Sequence, residues 1–143
     1  MNDYLFDARR GVLTQRARDK LDTLHWKSLR DLFLQVSEVI LGISPDTQGD
    51  LAGTCVKFTT GPHPTSAAYA VVWLNVSAPK RLIVGLALPE DCEAEGLGPP
   101  PERIFYKGLT KFFVIAEGQA VPERLSGWAK RAYEEALSSD GLQ

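Results

Sequence analysis

The chain has 143 residues, 44% of them hydrophobic and 24% charged, with twelve Gly, nine Pro, two Cys and a formal charge of -2. A chain of this length buries roughly two thirds of the surface it exposes when unfolded, so one domain over residues 1–143 is expected, with a core that needs no metal or disulfide staple. Sixteen Lys and Arg against eighteen Asp and Glu exclude a strongly basic polyanion binder and leave open only a local basic face.

The first ten residues carry four charges, at Asp3, Asp7, Arg9 and Arg10, and hold no long apolar run, so no secretory signal is expected. Leu13, Ala17 and Leu21 are spaced for one helical face, which predicts a short helical arm at 14–22. The next pattern is stronger. Leu29, Leu32, Phe33, Val36, Val39, Ile40 and Ile43 recur at steps of three and four, the stripe that an amphipathic helix buries. Ser28 with Asp31 resembles a capping pair at its start, and Ser44-Pro45-Asp46 ends it, because proline lacks the N–H and restricts the residue before it.

A polar connection containing Gly is expected next, and then a strand in TCVKFTT, with Cys55 or Val56 and Phe58 inward and Lys57 outward. GPHPTS breaks it. Ala68 to Val76 and Arg81 to Leu88 are two apolar runs separated by about four residues, which predicts an antiparallel hairpin. Neither run alternates strictly, so both are expected to be central and covered at least in part on both faces. Along the first, Tyr69, Val71 and Trp73 are expected on one face.

The segment 89–101, PEDCEAEGLGPPP, holds four acids and four prolines and is expected to be a long loop, either a flap or a surface excursion. Arg103 to Tyr106 is a candidate edge strand, and KFFVIA, Lys111 to Ala116, reads as a clear strand. Pro122 suits a first helical turn, after which Leu125, Trp128, Ala129, Ala132, Tyr133 and Ala136 form a buried stripe. This order predicts an α+β fold: an antiparallel or mixed sheet of four to five strands, with a long N-terminal helix and a C-terminal helix packed against it. A doubly wound parallel sheet would need helical crossovers between 54 and 116, where none is predicted.

Few residues point to chemistry. The two histidines, His25 and His63, match no zinc-ligand spacing, and Cys55 and Cys92 lie far apart without a Cys-x-x-Cys motif, so no metal and no cofactor is implied and free thiols in a cytoplasmic protein are expected. The apolar runs are about half the roughly 20 residues that span a bilayer, so no membrane partner is expected. Glycine-rich nucleotide motifs are missing, and Asp91, Glu93 and Glu95 read as solvated loop carboxylates. Basic residues occur in both terminal thirds, but the first fifty residues hold seven basic and eight acidic side chains. One cluster, IFYKGLTKFFVI, places Tyr106, Lys107 and Lys111 around a Gly turn, where amides and ammonium groups suit an anion; His63, between Pro62 and Pro64, is a further candidate contact.

The helix SLRDLFLQVSEVILGISPD, the strand around VKFTT, the stretch AYAVVWLNVSAPKRLIVGLAL and the closing WAKRAYEEAL resemble, over residues 24 to 138, a family of small uncharacterised domains sometimes labelled predicted transport protein, found alone or attached to nuclease-type modules. In that family the helix runs into a Lys-Phe strand, as at Lys57-Phe58, and the resemblance implies the α+β fold without supplying catalytic residues. The proline-rich loop departs from the family's usual compactness. The expectation is therefore a binding or accessory module for nucleic acid or a partner protein, with an enzyme or binding protein for a small anionic ligand and a structural homodimer as alternatives.

Overall fold

The structure is a computed structural model and describes residues 4–7, 12–13, 19, 22, 29–52, 55–61, 67–75, 81–89, 96–99, 108–116 and 118–141. Among these residues seven strands and two long helices follow in chain order: β1 (Tyr4–Asp7), β2 (Val12–Leu13), α1 (Arg30–Leu41), β3 (Gln48–Ala52), β4 (Cys55–Thr59), β5 (Ala68–Asn75), β6 (Arg81–Leu86), β7 (Lys111–Ala116) and α2 (Leu125–Gly141). The strands form one sheet in the order β2-β1-β3-β4-β5-β6-β7, with every neighbouring pair antiparallel. The expected α+β architecture is present, with five strands, β3 to β7, running in sequence order across the sheet. The N-terminal hairpin extends that sheet beyond β3 through Tyr4↔Asp50 and Asp7↔Gln48.

Two strands lie where the sequence offers little strand signal. QGDLA, read as a connection, is β3; flanked by β1 and β4, its main chain is paired on both sides, which outweighs a composition poor in β-branched residues. Tyr4–Asp7 is a strand for the same reason. The expected arm at 14–22 falls almost wholly outside the described residues, as do Ser28, the turn at 76–80 and the candidate strand at 103–106.

α1 is built on the predicted stripe: Leu29, Leu32, Phe33, Val36, Ser37 and Ile40 are buried. Its N-cap position falls on Leu29, whose side chain cannot accept a hydrogen bond, and Gly42 closes its C-terminus by donating to the Glu38 carbonyl at 3.0 Å. In α2 the buried stripe is Leu125, Ala129, Ala132 and Ala136, flanked by half-buried Trp128 and Tyr133. The helix starts at Leu125 and not at Pro122, whose carbonyl accepts from the Leu125 N–H at 3.1 Å in the preceding turn. The small alanines let α2 lie close over β5 and β6, and α1 packs beside it.

Both faces of the central strands are buried, as their nearly continuous apolar sequences predict. Towards the helices point Val56, Phe58, Ala70, Val72, Leu74, Leu82, Val84, Leu86, Phe113 and Ile115, one contiguous core. On the opposite face Val71, Ile83 and Phe112 are also inaccessible, and the Phe112 ring lies over Gly85. Val56 with Phe58 thus resolves the inward pair of β4 that the sequence left open.

β5 corrects one expectation. Phe58 pairs with Ala70 and Thr59 with Ala68, so Tyr69 is an extra residue, a bulge. The bulge breaks the alternation. It turns Tyr69 to the helix side together with Ala70, while Val71 and Trp73 keep the other face, so the three do not share one.

Candidate functional site

Three places in the described structure gather polar or exposed groups: a buried junction below the helices, a cleft beside α2, and the outer edge of β7. At the junction the bulge delivers the Tyr69 ring to the end of α1. Its hydroxyl lies 2.8 Å from Thr47 Oγ1 and 3.3 Å from the Ile40 carbonyl, which accepts from it. The Tyr133 ring of α2 meets the Tyr69 ring edge to face, with centroids 5.3 Å apart, and its hydroxyl donates to Ser44 Oγ at 3.1 Å. Ser44 Oγ also accepts from the Asp46 N–H at 3.1 Å. Burial holds the Tyr69 phenol well above its ordinary range, against a smaller opposing effect of the Thr47 hydrogen bond. The described partners of these hydroxyls are other hydroxyls and backbone groups, none of them a general base, so the junction ties α1, α2 and the sheet together.

The cleft, about 180 Å³, is lined by Ala87, Leu88, Pro89, Gly108, Glu135 and Ala136. Gly108 belongs to the predicted IFYKGLTKFFVI turn and has a left-handed backbone, φ 93°, which suits glycine. The ionisable side chain in this lining is a carboxylate, Glu135, which does not favour an anion. Of the residues singled out for anion binding, Lys111 opens β7 opposite Leu86, half-buried on the helix side. His63, Tyr106 and Lys107 lie outside the described residues, as do Cys92 and the acids Asp91, Glu93 and Glu95. Cys55 is half-buried in β4 opposite Trp73, and burial pushes its thiol up while Lys57 pulls it the other way. Among the described residues no cluster of His, Cys, Asp and Glu converges as metal ligands, and no helix is long and apolar enough to cross a membrane.

The outer edge of β7 was not foreseen. Alternate residues of an edge strand turn their N–H and C=O away from the sheet, and here those are Phe112, Val114 and Ala116. Phe112 exchanges two hydrogen bonds with Gly98, 2.9 Å from the Gly98 N–H and 2.8 Å to the Gly98 carbonyl. Ala116 is closed by Gln119, whose side chain accepts from the Ala116 N–H at 2.8 Å and whose N–H donates to the Ala116 carbonyl at 3.0 Å. Between them Val114 has no edge partner among the described residues, and its side chain is 42% exposed. The loop residues that reach this edge also touch the core: Leu97 packs against its margin, and Gly96 passes over Trp128, where an added Cβ would meet Cη2 at 3.4 Å. Trp128 in turn packs on Phe113, centroids 5.4 Å apart. The signal in the sequence is KFFVIA itself, whose Val114 is one apolar residue more than two-sided burial uses.

Comparisons with protein-family models, with curated proteins and with solved structures found no match to this chain.

Proposed function

We propose that this chain is a binding or accessory module that engages a partner protein, and that the rim of the sheet at β7 is its contact. The observation that carries the reading is Val114: an exposed apolar side chain and a main-chain pair without an edge partner among the described residues, framed by two positions whose edge groups are already bonded. Edge groups left open in this way favour contact with another polypeptide, since a peptide main chain supplies the complementary donor and acceptor.

Among the described residues the charges favour protein over nucleic acid. Arg30 is bonded to Asp22 at 2.5 Å and lies 3.6 Å from Asp31. On α2, exposed Lys130 and Arg131 stand one helical turn before exposed Glu134 and Glu135, so the cations there are interleaved with carboxylates. A polyphosphate backbone needs a run of cations without such neighbours.

Site-specific photo-cross-linking tests this. A benzophenone amino acid placed at position 114 is expected to capture one discrete polypeptide, while the same group at exposed Gln35 on α1 captures none. Capture at neither position, or equally at both, removes the reading. Salt-sensitive binding of a labelled single-stranded oligonucleotide at low ionic strength would transfer the function to nucleic acid.

A further inference from the structure

We infer that the edge of β7 is a strand-addition site, and that Gly96–Pro99 is an internal strap occupying part of the seat of an incoming strand. The inference rests on the partner-protein reading and names the occupant: an extended peptide antiparallel to β7, with an aliphatic residue in the place of Leu97 and small or β-branched residues on either side.

The strap is bound by a single bridge, Gly98↔Phe112. In an antiparallel ladder the next edge position, Val114, would face the residue two before Gly98, which is Gly96. Gly96 has φ 96° and leaves the ladder, so Val114 is not reached. In the other direction Thr110 gives its N–H to the Leu86 carbonyl at 3.1 Å, so the edge offers no further donor there. The strap is therefore limited to the two main-chain bonds with Phe112. A strand that stays extended at the place of Gly96 keeps both of these and adds a second pair at Val114, and Gln119 on Ala116 ends the ladder there.

The seat also accepts side chains that the strap lacks. Leu97 points to the helix side and packs at the margin of the core, near the Trp128 that Gly96 crosses. Gly98 faces the other way, and a Cβ built on it meets nothing within 4 Å, so a valine fits where the strap has a hydrogen. Two valines flanking the leucine would lie on the side of the exposed Val114. This is strand addition with the main chain giving affinity and one apolar anchor giving register.

The test uses the full chain, labelled with nitrogen-15, and a capped synthetic peptide, Lys-Thr-Thr-Val-Leu-Val-Thr-Thr-Lys. The peptide is expected to shift the Phe112 and Val114 amides and to slow exchange of the Val114 amide by about tenfold. N-methylation of the first valine, whose amide would donate to the Val114 carbonyl, is expected to weaken binding by about three- to tenfold, the worth of one hydrogen bond. N-methylation of the leucine, whose amide faces away from β7, should leave binding unchanged. Leu97→Asp, which loosens the strap, is expected to tighten peptide binding by up to about tenfold, because less of the protein is in the closed form. Equal binding of the two methylated peptides, or no change at Val114 even with Leu97→Asp, overturns strand addition. Cross-linking at position 114 together with a silent Val114 amide overturns strand addition alone and leaves the partner-protein reading standing. A doubled mass by light scattering, with a slowed Val114 amide and no peptide present, would instead make a second copy of this chain the occupant and overturn the choice of a foreign partner.

Discussion

The hydroxyl of Tyr69 on β5 lies 2.8 Å from Thr47 Oγ1 in the turn after α1, and both residues are inaccessible to solvent. Tyr69→Phe leaves the Thr47 hydroxyl buried without this bond, and Thr47→Val leaves Tyr69 only its longer bond to the Ile40 carbonyl at 3.3 Å; an unmade buried bond costs more than the bond is worth. Tyr69→Phe and Thr47→Val are each expected to lower unfolding stability by about 1–3 kcal/mol, measured by urea denaturation. The double variant should lose less than the sum, since the unpaired group is then gone too. Additive losses would place the two hydroxyls in separate environments.

The same phenol makes the fold sensitive to alkali. Buried Tyr69 ionises less readily than it does in the unfolded chain, where its pKa is about 10. Its contribution to stability is intact below that value. As pH rises above about 10 the unfolded chain gives up the proton and the folded chain does not, so stability falls. The urea midpoint is expected to drop between pH 9.5 and 11, about the range where free phenols titrate. Tyr69→Phe should flatten that drop, and an unchanged slope in the variant would assign the loss to other groups.

Ile83 and Leu82 are adjacent on β6 and face opposite sides of the sheet, yet both are fully buried. Truncation of either to alanine is expected to cost about 2–4 kcal/mol. A one-sided sheet would show the cost at Leu82 alone, so comparison of the two denaturation curves decides whether the second face is covered in solution.

Gly85 is tightly enclosed: a Cβ there would come within 2.6 Å of Phe112 Cε2 and 2.8 Å of Leu109 Cδ1. Gly85→Ala is expected to lower stability by about 1–3 kcal/mol through displacement of the Phe112 ring. Gly98→Ala, with open space around the new methyl, serves as the control and should change little. Thermal melts of the pair give the comparison directly.

Cys55 is half-buried and its thiol is held above the ordinary range. Little thiolate is then present at pH 8, and in a Cys92→Ser variant labelling of Cys55 by a disulfide reagent is expected to be slow in the native protein and to accelerate about tenfold or more in denaturant. Equally fast labelling in both states would mean that β4 opens freely.

Much of this fold is written in periodicity. The stripes of α1 and α2 name their buried residues, and the unbroken apolar runs of β5 and β6 announce burial on two faces. Other elements depend on partners distant in sequence. QGDLA has no local reason to be extended until β1 and β4 flank it, and Tyr69 changes face only because β4 has one residue fewer opposite it. The β7 edge is harder still to read, because it depends on what Gly98 and Gln119 bond to, and neither residue type carries that information. Lys111 was legible as a cation at the start of a strand, but its place opposite Leu86 on the helix side follows only from the assembled sheet.

The place of the N-terminal hairpin in the sheet has a temporal meaning. β1 pairs with β3, and β3 leads directly into a run of strands that each pair with the next. During synthesis β1 meets β2 almost at once, but its other sheet partner is missing until Gln48 to Ala52 have emerged, while β4 to β7 each follow a neighbour already made. Of the pairings between neighbouring strands, β1 with β3 spans the greatest separation in sequence, and loop closure delays its formation. The sheet is therefore expected to assemble from the β4–β5–β6 centre outward, with the β1–β2 hairpin the last part of it to dock.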